Sequence, residues 1–299
     1  MSTLITTSQR TATSPTTRFI ARHPLLVFFG LAFGISWSFM IADGFGSYGL
    51  IPFRLTLSGP GLILTLLMSY GPTFAALIVT WATQGAAGIW KLLGQLLPWR
   101  AGLRWYILAL ALPAILAFGT GKLQEVLGAT LRPLPGPALQ VVLTSLLASI
   151  VRGMVNGEEI GWRGYALPHL QERYNALTAS LILGVIWFAF HVPIMFLPCS
   201  ICGSQTLANA LPFLLGVLAL SVVITWIFNS TRGSLLPIIV LHGAYNTWPD
   251  LFAMTGGNPA LGWLGFAISV LPAAAIVVIF GPARLSGKPV VGLPSTPGA

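Results

Sequence analysis

Eight apolar stretches, at 25–42, 61–83, 103–121, 138–157, 177–197, 208–228, 234–253 and 262–281, run along this chain between short polar connections. A helix needs about 20 residues to cross a hydrocarbon core of about 30 Å. The pattern therefore predicts an all-α polytopic membrane protein with about eight transmembrane helices. Charge agrees with it. Only 7% of the 299 residues are Asp, Glu, Lys or Arg, where soluble domains carry about 25%. So few charges cannot clothe a soluble globule, which excludes a soluble enzyme, a nucleic-acid binder and a secreted disulfide scaffold. The formal net charge of +9 marks cytoplasmic loops rather than a nucleic-acid partner.

Residues 1–23, rich in Ser, Thr and Arg, read as a disordered cytoplasmic tail. Residues 24–284 read as a single transmembrane domain, and 285–299 as a flexible C-terminal tail. With the N-terminus inside, Arg54, Lys122 and Arg132 are the basic residues on outer loops, and the others fall on inner segments. That asymmetry predicts an even helix count with both termini cytoplasmic, in a plasma (inner) membrane. Pro72, Pro113 and Pro272 fall inside apolar runs, where a kink without chemistry is the simplest account. The Lys91–Arg100 stretch reads as an amphipathic segment along the inner interface.

The polar residues within apolar runs carry the functional signal. Glu158 and Glu159 are adjacent, and Arg163 follows. Glu159 and Arg163 are four apart and can pair on one helix face, which leaves Glu158 rotated by about 100°. A solvated loop at the inner surface is the competing account. His191 and His242 lie within apolar runs, where helix packing competes with catalysis. His23 and His169 read as interfacial or capping residues. If the fourth helix runs on to Pro168, a rise of 1.5 Å per residue puts Glu158 about 15 Å, His191 about 20 Å and His242 about 12 Å from the inner turns. Asn246 follows His242 by one turn. Acid, two imidazoles and a carboxamide can then share one layer in the inner half of the bilayer, with the ingredients for water activation and oxyanion binding.

Glu158-Glu159-x-x-x-Arg163, Trp187-x-x-x-His191 and His242-x-x-x-Asn246 resemble the three motifs of the CPBP intramembrane proteases, which include the type II CAAX prenyl endopeptidases. The resemblance covers about 130–250, and it departs from the family at Trp187, where Phe is usual. It implies an intramembrane endopeptidase that hydrolyses a membrane-associated protein or peptide. In that reading Glu158 is the general base and His191 its partner on the attacking water. His242 and Asn246 stabilise the oxyanion, and Glu159 and Arg163 hold the helix. It also admits a zinc-dependent version, with Glu158, His191 and His242 as ligands. The absence of a His-Glu-x-x-His pair and the donor character of Asn246 favour the metal-free route.

Two other classes compete. A proton-coupled transporter also uses intramembrane Glu and His, but no inverted repeat is visible. A non-catalytic membrane scaffold has no need of the intact Glu158, His191, His242 and Asn246 set. Cys199 and Cys202 fall in an outer loop, with ordinary thiols as the first reading and a local disulfide or metal pair as alternatives.

Overall fold

The computed structural model describes residues 14–97, 101–200 and 207–289. It is a helical bundle. In chain order the helices are α1 (Pro15–Arg22), α2 (Pro24–Ser47), α3 (Gly59–Ser69), α4 (Gly71–Leu93), α5 (Leu103–Val126), α6 (Ala138–Asn156), a π-helix (Ile160–Ala166), α7 (Leu167–Gln171), α8 (Ala176–Phe190), α9 (Pro193–Phe196), α10 (Ala210–Ser230), α11 (Leu236–Tyr245), α12 (Trp248–Leu251) and α13 (Trp263–Phe280). A minimal antiparallel pair, β1 (Thr130–Leu131) with β2 (Met254–Gly256), ties together the connections after α5 and α12.

Each of the eight expected stretches carries helix, but not eight equal spans. Among the described residues five helices are long and apolar enough to cross a membrane: α2, α5, α6, α10 and α13. Helices α3 and α4 make a sixth candidate, bent by 55°. The stretch at 177–197 gives only the 15 residues of α8, and the stretch at 234–253 only the 10 of α11. The outward surfaces are apolar, with Val278 84% and Val126 82% exposed, as lipid-facing helices require. Helix α10 is the central column, with Val223, Ile224, Ile227 and Phe228 fully buried. It packs against α8 and α13, while α11 packs against α6 and α5.

Breaks in the helices position the site. Pro72 has no N–H for the carbonyl of Met68, its i−4 neighbour, and the helix bends there. The buried Ser36 hydroxyl donates to that carbonyl at 2.7 Å. A second break corrects the expectation of a continuous fourth helix through Glu158. Helix α6 ends at Asn156, Gly157 turns left-handed with φ 60°, and the chain resumes as the π-helix. Only glycine takes this position: a Cβ on Gly157 would lie 2.2 Å from the Tyr70 ring. The two breaks interlock. Tyr70 donates its hydroxyl to Met154 O at 2.6 Å, and Thr73 donates to Gly157 O at 2.6 Å. Carbonyls released inside a membrane protein are satisfied by protein in this way.

Helices α6 and α11 cross at small residues. A Cβ on Gly153 would lie 2.1 Å from Ile239 O, and one on Gly243 1.9 Å from Ser149 O. Small residues allow this approach, and it brings His242, beside Gly243, against the end of α6.

The proposed tails are partly structured. Within the expected disordered segment 1–23, Pro15–Arg22 form α1, with Ser14 accepting from Thr17 N at 3.1 Å and proline in the first turn; residues 1–13 lie outside the described residues. In the C-terminal segment Leu285 is fully buried and Lys288 donates to Ser230 O at 2.6 Å. Residues 290–299 lie outside the description. The expected interfacial segment Lys91–Arg100 is helical to Leu96, and 98–100 lie outside the description. Cys199 is disulfide-bonded rather than an ordinary thiol; Cys202 lies outside the described residues.

Candidate active site

Glu158 and Glu159 stand where α6 has ended and the π-helix begins, and their surroundings differ. Glu159 is buried and faces two partners. Arg163 Nη1 donates to its Oε1 at 3.1 Å, and His242 Nδ1 lies 2.7 Å from the same oxygen. The i,i+4 pairing with Arg163 appears as expected. The bond to His242 adds to the expected role: Glu159 pairs with Arg163 and also grips one of the site's imidazoles.

Glu158 is half-buried and receives neutral donors only. Trp162 Nε1 donates to its Oε2 at 2.8 Å, and Trp187 Nε1 to the same oxygen at 2.9 Å. Trp162 is fully buried, wedged edge-on between Phe28 and Phe190. Trp187 lies one turn before His191 on α8. Its ring face carries the Arg163 guanidinium, with Cζ 4.2 Å from the ring centroid. Its edge relation to His242, at 5.3 Å and 81°, completes the contact.

The tautomers of both histidines follow from their acceptors. His191 Nδ1 lies 2.7 Å from Trp187 O. A carbonyl only accepts, so Nδ1 carries the proton. His242 Nδ1 faces the Glu159 carboxylate, which also only accepts when ionised. Each ring is therefore left with Nε2 for chemistry. Trp37 Nε1 donates to Phe190 O at 2.8 Å and closes the end of α8 beside His191.

Glu158, Glu159, Arg163, Trp187, His191 and His242 are thus joined in one run of contacts from the π-helix, α8 and α11. Asn246 is joined to it by its helix alone. It is the C-cap of α11, one turn past His242, and is exposed. Its backbone N–H donates to His242 O at 3.1 Å. Its carbonyl accepts from Arg152, which also pairs with Asp250 at 3.2 Å. His169 is buried with Nδ1 2.7 Å from Tyr165 O, away from this run.

The donor set does not fit a metal ion in this arrangement. Among the described residues no three His, Cys, Asp or Glu side chains converge as a metal-holding group. One oxygen of Glu158 is occupied by two N–H donors. Sequence reasoning missed the indole donors and the Glu159–His242 bond. The one signal for the first was tryptophan at 187, because an indole carries a donor and a phenyl ring does not.

A helical bundle with two carboxylates, two tautomerically fixed imidazoles and a carboxamide near helix ends defines the class: a polytopic membrane protein with a polar centre. Comparison with known proteins makes this specific. Residues 134–248 match the type II CAAX prenyl endopeptidase Rce1-like family. The chain is also 33% identical over 124 residues to CAAX prenyl protease 2 of Methanococcus maripaludis, across 40% of this chain and 45% of that protein. The chain thus spans less than half the length of the curated relative it matches. Glu158, Glu159, Arg163, Trp187, His191, His242 and Asn246 all fall within the segment that resembles this family.

Proposed function

We propose that this protein is an intramembrane endopeptidase that hydrolyses a peptide bond of a membrane-associated protein or peptide without a metal ion. The observation that carries the reading is the division of the two glutamates. Glu158 keeps a carboxylate held on one oxygen by neutral donors, beside two histidines with Nε2 free. In the reaction, Glu158 Oε1 takes a proton from water as the water oxygen attacks the scissile carbonyl. His191 Nε2 orients that water. Asn246 donates to the oxygen on which negative charge develops, and His242 joins it in the form that carries a proton on Nε2 as well as on Nδ1. Glu158 then returns the proton to the departing amine. Glu159 positions His242 through Nδ1, and Arg163 balances the Glu159 charge.

The same reading puts the protein in a plasma membrane with both termini cytoplasmic, following its basic residues. Membrane proteomes of a deletion strain complemented with wild type or Glu158→Ala test it. A cleavage product present with wild type and absent with Glu158→Ala is the expected result. Identical membrane proteomes would leave a scaffold or a transporter as the better account.

A further inference from the structure

Glu158 and Glu159 are adjacent in the chain yet take different partners, and that difference needs a cause. The cause is visible in how one residue meets four polar groups. Trp187 donates Nε1–H to Glu158 Oε2 at 2.9 Å. Its ring face takes the Arg163 guanidinium at 4.2 Å. Its carbonyl fixes His191 Nδ1 at 2.7 Å, and its ring packs edge-on with His242 at 5.3 Å.

An indole suits this place for an electrostatic reason. The face of the ring is negative and its N–H edge positive. A cation over the face and an anion at the edge are both favoured by the same neutral group. Trp187 therefore stands between the charge of Arg163 and that of Glu158, and the Arg163 hydrogen bond goes to Glu159. Phenylalanine would keep the face and lose the edge donor.

We infer that Trp187 is a positioning residue that assigns the two glutamates their roles: its N–H, with that of Trp162, clamps Oε2 of Glu158 and leaves Oε1 to face water, while its ring directs Arg163 to Glu159. The inference rests on the endopeptidase reading for its kinetic consequences but not for its structural ones. With Trp162 still in place, Trp187→Phe should lower kcat about tenfold and leave KM within about twofold.

The test uses full-length protein in nanodiscs with a membrane-anchored reporter peptide, plus 15N-indole NMR. Wild type should show two indole N–H resonances far downfield. One should vanish in Trp187→Phe and the other in Trp162→Phe, and both should move upfield in Glu158→Leu. If Trp187→Phe folds poorly, benzothienylalanine at 187 keeps the ring shape without the N–H and should give the same loss. Unmoved indole signals in Glu158→Leu, or full kcat without the 187 N–H, overturns the inference. A wild type that cleaves nothing but keeps both signals removes the endopeptidase reading and upholds the clamp.

Discussion

Oε1 of Glu159 accepts from two side chains at once, His242 at 2.7 Å and Arg163 at 3.1 Å. One buried oxygen thereby links the π-helix to α11 and fixes an imidazole that the sequence places 83 positions away. A carboxylate behind a histidine sets both its tautomer and its direction.

Glu159→Gln keeps the shape but replaces the carboxylate by a carboxamide, whose NH₂ can point at His242 in place of an acceptor. Turnover should fall about 10–100-fold, the range seen when a partner that orients a functional histidine is removed. Steady-state kinetics in nanodiscs would show it, and wild-type kcat in this variant would remove Glu159 from the site.

Arg163→Ala acts on stability first. It leaves the buried Glu159 carboxylate with His242 alone, and breaking a buried pair costs about 3–5 kcal/mol. The yield of monodisperse protein after detergent extraction should drop sharply. Arg163→Lys should recover part of it, because an ammonium restores charge but not the planar face over Trp187.

Asn246→Ala should lower kcat by about 10²–10³ while folded yield stays normal, as expected for one donor to a developing oxyanion. The residue is exposed at the end of α11, so little packing is lost. A change in KM alone would assign Asn246 to substrate binding instead.

These roles show what could be read in advance. The pairing of Glu159 with Arg163 and the gathering of Glu158, His191 and His242 were legible, because they depend on helical spacing and on the rarity of polar residues in apolar runs. Of the two breaks, the bend at Pro72 was legible as a proline kink and the one at Gly157 was not. Nothing local marks Gly157 as left-handed. The cause is the Tyr70 ring, which arrives from a segment 87 positions earlier in the chain. The short length of α8 was hidden because hydropathy stays high beyond its end, in Val192–Leu197, where the chain has already turned, and the end of α11 was masked by Trp248, Leu251 and Phe252 just beyond it.

Gly157→Ala forces a Cβ into both a left-handed backbone and the Tyr70 ring. Left-handed geometry alone costs about 1–2 kcal/mol. Thermal unfolding of the detergent-solubilised variant should occur at lower temperature, with partial recovery in Gly157→Ala/Tyr70→Ala. If removing the ring makes matters no better, the interlock of the two bends is not what sets this position.

Chelation separates the two hydrolytic routes. Under the metal-free route, purified protein should hold no stoichiometric zinc by elemental analysis, and chelator should leave cleavage intact. Activity lost with chelator and restored by Zn²⁺ would make Glu158, His191 and His242 ligands, and would require them to draw together from the arrangement seen here.

The brevity of α11 has a consequence for the solvent. Ten residues rise about 15 Å, half of a hydrocarbon core. The last turn of a helix leaves carbonyls without helical donors. A helix of that length that starts at one face of the core ends at mid-depth, where lipid chains offer no donors. Arg152 serves the carbonyl of Asn246, and Asp250 follows at once. A fold that stops a helix there must bring hydration with it. The reagent that peptide hydrolysis consumes is the same one that this helix end requires, so the architecture and the chemistry make a single demand on the membrane.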